Sequence, residues 1–176
     1  MPEKILIATD GSDHAKKAVG FGADLAAKYG ADIVLVHVLL RDALSENLRH
    51  TAEVEYLPRE GGKPLSEAIA AFPEGRFPIV HLLPERAQTP DSILQAVAEK
   101  VLSDAEKQVR EHGVSKVAKQ IEDGDPSKRI LEVAEAVGAD VIVTGARGLS
   151  DFKALVMGSV SHKVSHLSPV TCISVR

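Results

Sequence analysis

The chain has no tryptophan, and aromatic residues make up only 3% of its 176 positions. A core without aromatic bulk must be aliphatic, built from Val, Ile, Leu and Ala. The 44% hydrophobic content is enough to build one. Cysteine is nearly missing too. Cys172 stands alone, which excludes an intramolecular disulfide and fits a reducing compartment. No apolar run reaches the roughly 20 residues that span a bilayer. Met1-Pro2-Glu3-Lys4 leads straight into a β-rich run rather than a signal peptide. A cytoplasmic protein without membrane insertion is expected. Positive charge is in deficit, with 21 Lys and Arg against 25 Asp and Glu, a formal net charge of -4. That argues against non-specific binding to nucleic acid or anionic membrane. An anionic ligand would need a local positive patch. No tandem repeat is present, so 1–176 is read as a single domain.

What is present is an alternation of short apolar runs with amphipathic segments. Lys4 to Thr9 reads as a first strand, closed by the turn cluster Asp10-Gly11-Ser12. Ser12 or Asp13 can cap a helix over roughly 13–29, stopped by Gly30. Within it, Gly20 and Gly22 fit close packing of helix on sheet. They are not a dinucleotide fingerprint, because they lie inside a helix. Asp32 to Val38 is a second strand, with His37 a core or strand-end histidine. Residues 40–90 hold six of the nine prolines and read as a long insertion or flap, with Ser66 to Phe72 a short helix and Phe77 to Leu83 a short strand. Gly61-Gly62-Lys63-Pro64 lacks the rest of a phosphate loop.

A long helix follows from Asp91 or Ser92 to about His112, with Ile93, Val97, Val101, Ala105 and Val109 on one stripe. Lys116 to Glu122 is a third strand with imperfect alternation. Asp125 as cap and Pro126 at the first helical position start a helix to Val137, with Ile130, Leu131, Ala134 and Val137 inward. Val141 to Thr144 is a fourth strand, apolar throughout as in a sheet covered on both faces. Ser159 to Leu167 is a last helix, ended by Ser168-Pro169, and Val170 to Val175 a fifth strand. Strands alternating with helices imply a parallel α/β sheet sandwiched by helices and wound in a Rossmann-like way.

The fourth strand's exit carries the chemistry. Gly145 and Gly148 are three apart, a loop follows, and Gly158-Ser159-Val160-Ser161 opens the last helix. A glycine at a strand's carboxyl end lets backbone approach a ligand closely. A helix starting Gly-Ser-Val-Ser offers bare N–H groups and two hydroxyls, which suit a phosphate. In an open parallel sheet, ligands sit outside the strands' carboxyl ends where strand order reverses. If the first and fourth strands are neighbours, Asp10 joins this site. There it would accept from a ribose hydroxyl or an adenine amine, or help hold a divalent metal. As read from the residues alone it could equally cap the following helix. Arg147 and Lys153 are the candidates for local positive charge.

The spacing Gly145-x2-Gly148-x9-Gly158-Ser159 resembles the nucleotide-binding signature of the universal stress protein family. Ile5 to Ser12 is similar to that family's opening strand and turn, Val36-His37-Val38 to its second strand, and Gly124-Asp125-Pro126 to its third-strand exit. The resemblance covers essentially the whole chain and implies a fold of the adenine nucleotide alpha hydrolase-like kind. It implies ATP binding, with Mg2+ or Mn2+ at the phosphates. Ala8, Thr9, Asp10 and Val38 would frame the adenosine. Gly145, Arg147 and Gly148 would flank the ribose and first phosphates. Gly158, Ser159, Val160 and Ser161 would bind phosphates, Val160 through its N–H. The departure is the stretch at about 40–90, longer than the family usually carries.

His162 and His166 are four apart, a metal-compatible spacing, but no Glu follows His162 and no third ligand is evident. Cys172 has no adjacent His or cation and reads as inert. Ser159 and Ser161 have no visible base, so a hydrolase triad is not supported. The first reading of function is an ATP-binding regulator of the stress-response type that is not an enzyme. It would form a homodimer through the apolar terminal strand Val170 to Val175 and take an unidentified protein partner. The others are a slow ATPase or phosphotransferase, and an interaction module that no longer binds nucleotide.

Overall fold

A computed structural model of the chain describes residues 1–39, 90–148 and 157–176. The expectations for the helix Ser66 to Phe72, the strand Phe77 to Leu83, the insertion as a whole and Lys153 lie outside the described residues. Within them the order is β1 (Lys4–Ala8), α1 (Asp13–Tyr29), β2 (Asp32–Leu39), α2 (Pro90–Glu111), β3 (Val117–Asp123), α3 (Pro126–Val137), β4 (Val141–Gly145), α4 (Ser159–Leu167) and β5 (Thr171–Val175). The strands form one five-stranded sheet in the order β3-β2-β1-β4-β5, and every pairing is parallel.

The local signals account for the element ends. The Ser12 hydroxyl caps α1 by accepting from the Ala15 amide at 3.3 Å. Asp125 caps α3 by accepting from the Lys128 amide at 2.9 Å, with Pro126 next. Gly30 and Gly138 end α1 and α3 in the left-handed region, at φ 71 and 66, where other residues would carry a steric penalty. At the amino end of the sheet, the Asp140 carboxylate accepts from the Glu3 and Lys4 amides at 2.7 and 3.0 Å. It pins β1 to the start of β4.

Alternation along the strands builds two aliphatic cores, one on each face. On one face Ile5, Ile7, Ile33, Leu35, Val141 and Val143 meet Ala18, Val19 and Ala26 of α1 and Leu102, Ala105 and Val109 of α2. On the other, Leu6, Val34, Val36 and Ile142 meet Ile130, Val133 and Ala134 of α3 and Val164 of α4. Buried positions of α2 thus include Leu102 beside the expected Val101, Ala105 and Val109. In α3 Val133 is buried, whereas Leu131 and Val137 are only partly so. The imperfect alternation of β3 has a plain cause. It is an edge strand, half exposed along its length.

Gly22 carries the closest helix-on-sheet contact. A Cβ there would lie 2.5 Å from Cδ1 and 3.0 Å from Cγ1 of the fully buried Ile7. Gly22→Ala should therefore destabilise the protein by about 1–2 kcal/mol, overpacking outweighing the gain in helix propensity. In an Ile7→Val background, which removes the obstructing Cδ1, the same change should become neutral or stabilising. A double-mutant cycle by urea unfolding measures this coupling. Simple additivity would show that the contact is unimportant.

Candidate functional site

The chain runs outward from β1 through β2 to β3, then returns to lay β4 on the other side of β1, in register Ala8 with Thr144. The connections leaving β1 and β4 diverge, so a crevice forms at their carboxyl ends. Ala8, Thr9 and Asp10 reach it from β1, Val38 from β2, and Gly145 to Gly148 from β4. The start of α4 is drawn to the same place. The Gly158 amide donates to the Ala146 carbonyl at 2.7 Å, and the Ser161 hydroxyl lies 3.1 Å from that carbonyl and 3.0 Å from that of Gly158. The Ala146 amide donates in turn to Val175 at 2.6 Å. One residue thus ties together β4, β5 and α4.

The exit of β1 is held by side chains. The Thr9 amide donates to Val36 at 3.0 Å, and the Thr9 carbonyl receives Nδ1 of His37 at 2.9 Å. A carbonyl can only accept, so Nδ1 carries the proton. The Thr9 hydroxyl accepts from Gly11, and Asp10 Oδ1 accepts from the Ser12 amide at 3.0 Å. Asp10 therefore shapes the turn, whereas Ser12 caps α1. Gly11 takes φ 81 within that turn. Oδ2 of Asp10 lies 2.6 Å from where a Cβ of residue 148 would stand, so only glycine leaves the carboxylate its place.

The missing side chain of Gly145 serves a different purpose from the one expected. A Cβ there would meet the backbone of α1, 2.8 Å from the Ala15 nitrogen and 2.9 Å from the His14 carbonyl carbon. The space is taken by a helix, not left for a ligand. Gly158 is less crowded, with its nearest neighbours at 3.4–3.7 Å from a Cβ. It starts α4 in an extended conformation with no side-chain cap. The Ser159, Val160 and Ser161 amides have no acceptor among the described residues. Val160 is partly buried against the core on the α3/α4 face, the same core that holds Val38 and against which Ala8 packs. The Ser161 hydroxyl is buried and engaged with the two carbonyls, whereas Ser159 is exposed. Arg147, half-buried, has no carboxylate partner among the described residues.

Val38 has a further property. The Val36 carbonyl faces β1, so by alternation the Val38 amide and carbonyl face the same side. There β1 has already turned away. Neither group has a partner among the described residues. Sequence reasoning found Val38 only through resemblance and left the bond made by His37 unseen. The periodicity of β2 marks that residue as inward but says nothing of a turn 28 positions earlier. The His162 and His166 rings stack, centroids 6.3 Å apart and nearly parallel. Cys172 lies half-buried, its sulfur against the Val164 and Val170 carbonyls. No helix among the described residues is long and apolar enough to cross a membrane.

These features define a doubly wound parallel α/β protein whose switch point lies between β1 and β4. The universal stress protein family's profile matches residues 1–176, and the chain belongs to that family. It is 32% identical over 180 residues to the universal stress protein YxiE of Bacillus subtilis (strain 168), covering 100% of each chain. It is 28% identical over 176 residues to the stress response protein NhaX of the same organism, covering 99% of this chain and 98% of that one. Among solved structures, hypothetical protein MJ0577 superposes with TM-score 0.67 at 21% identity, covering 98% of this chain and 94% of that one. A universal stress protein in complex with cAMP gives 0.63 at 19%, covering 99% and 97%. The Archaeoglobus fulgidus universal stress protein in complex with dAMP gives 0.57 at 20%, covering 98% and 97%.

Burial pushes the His37 ring below its usual range, against the opposing pull of the Thr9 carbonyl and the Asp10 charge. As pH falls below about 6.5, the unfolded chain takes up the proton and the folded chain resists it. Stability from this group is thus complete above that pH, declines as pH falls toward the folded pKa, and then levels off. The Asp125 and Asp140 carboxyls, held low by hydrogen bonds, add a separate loss at more acidic pH. Urea unfolding between pH 8 and 5 should show a smaller slope for His37→Asn than for the wild type. Identical slopes would refute the assignment.

Proposed function

We propose that this chain binds an adenine nucleotide at the switch point, ATP with Mg2+ or Mn2+, and uses it as a bound signal. The observation that carries the reading is the start of α4, where three amides have no acceptor among the described residues and the backbone of Arg147 lies close by, its guanidinium without a carboxylate partner among those residues. Such amides and the positive end of the helix suit phosphate oxygens, and Arg147 supplies the charge that an acidic protein must concentrate locally. The base would lie over Ala8, Val38 and Val160, small or branched apolar groups on one face. The N–H and C=O of Val38, without partners among the described residues, complement adenine, whose ring nitrogen accepts and whose amino group donates. Guanine presents the opposite pair on that edge.

Asp10 is the hard oxygen ligand at the crevice, suited to a ribose hydroxyl or to the metal. The metal would neutralise phosphate charge. Two groups near the crevice that could act as a base are engaged: Asp10 holds Ser12, and the His37 Nδ1 proton is committed to Thr9. Nδ1 of His14, whose backbone lies against Gly145, is buried without a partner among the described residues, but nothing orients it toward a phosphate. We read the nucleotide as held, with output through assembly or a protein partner. Similarity to proteins solved with cAMP and with dAMP supports an adenine ligand.

The surface for self-assembly would be β5. Both sheet edges are formed by strands, but β3 carries Lys119, Glu122 and Asp123, whereas Thr171-Cys172-Ile173-Ser174-Val175 carries no charge. Charge on an edge resists strand addition, and its absence permits it.

Native mass spectrometry of freshly purified protein should show retained ATP. Gly158→Val should lose it while lowering the melting temperature by only about 3 °C. No retained nucleotide and no heat on ATP titration would refute the reading. Ser174 points its N–H away from β4, because the Val175 carbonyl faces β4. Ser174→Pro should therefore shift a homodimer toward monomer in sedimentation experiments with the fold intact. An unchanged dimer would exclude this edge.

A further inference from the structure

The β1–β2 ladder stops one rung short. In a parallel pair, a Thr9 amide bonded to Val36 is followed by a Val38 amide bonded to the Thr9 carbonyl. The first bond is present at 3.0 Å, and the second is not made. The Thr9 carbonyl accepts instead from the ring of His37, the residue between the two rungs, at 2.9 Å. That ring is buried, 6% exposed, so the bond is shielded from competing water. Beyond it the chain turns through Asp10 and Gly11 toward Gly148, away from β2.

We propose that His37 is a positioning residue for base recognition: it occupies the Thr9 carbonyl and so keeps the Val38 amide free to bond a nucleotide base. The role rests on the nucleotide reading above. An aliphatic residue at 37 would leave a buried carbonyl unsatisfied, and the nearest remedy is the missing rung. The Val38 donor would then be spent inside the sheet. Asparagine places a side-chain N–H close to the Nδ1 position and should keep the arrangement.

Amide hydrogen exchange by NMR on the nucleotide-free full chain tests this directly. The Val38 amide should exchange at least tenfold faster than the ladder amides of Val34 and Val36. In His37→Leu it should gain at least tenfold protection, and ATP affinity should fall about tenfold. His37→Asn should match the wild type in both measurements. A protected Val38 in the wild type, or Leu and Asn variants that behave alike, overturns the proposal. Should His37→Leu fail to fold, fast exchange at Val38 in both wild type and His37→Asn is still required. A wild type that binds ATP no better than His37→Leu, with ATP bound by both, defeats the role of His37 alone. A wild type that binds no adenine nucleotide, with Val38 unprotected, defeats the nucleotide reading instead.

Discussion

The parallel pairing of β1 with β4 is the constraint on which the site depends. These strands lie more than 130 residues apart in sequence and come together only because both are apolar on both faces. Ile5, Leu6 and Ile7 on one and Ile142 and Val143 on the other are fully buried. Such strands can only sit at the centre of a sheet covered twice. Once they are neighbours, the connections that follow must diverge, since one chain end goes to β2 and the other to β5. The crevice is therefore a consequence of topology. The side chains around it only decide what it can hold.

Within that crevice the polar groups divide into those already used and those left over. The carbonyls of Ala146 and Thr9 are taken by Gly158 and His37. The buried Ser161 hydroxyl is spent on the loop. Each of these bonds satisfies a buried group that would otherwise be costly. Among the described residues, the groups left without a partner near the crevice include the amides at the start of α4, the Val38 backbone pair, the Arg147 guanidinium and Nδ1 of His14. A folded chain leaves such groups bare only where water or a ligand can reach them.

Much of this was legible in the residues. Capping signals placed the start of α1 at Ser12 or Asp13, of which Ser12 is the cap, and that of α3 at Asp125, and Ser159 and Leu167 bound the last helix where the sequence puts them. Apolar continuity identified the central strands, and the spacing of three glycines singled out the candidate site at the switch point. The reasons for those glycines were not legible. Gly145 admits a helix, Gly148 admits the Asp10 carboxylate, and of the three Gly158 alone would take a Cβ at ordinary contact distances. A glycine records that something comes close, and pattern alone does not say what. The same limit applies to His37, whose partner is a backbone atom that periodicity cannot reveal.

The charge of the chain sharpens the point. With a formal net charge of -4, long-range attraction cannot gather a polyanion, and several Lys and Arg are occupied elsewhere. Lys119 and Arg110 are paired with Glu106, and Lys100 with Asp104. Affinity for phosphate in such a protein must come from short-range groups whose position is fixed before binding. Backbone amides at a helix start meet that requirement, because the helix orders them at no further cost in side-chain entropy. Their orientation here depends on α4 being tied to Ala146, and Ala146 on the end of β5. The terminal strand thus helps to aim the helix at the crevice as well as closing one side of the sheet. The amides proposed to hold phosphate and an uncharged edge are joined through one residue, which is the arrangement a bound nucleotide would need to influence assembly.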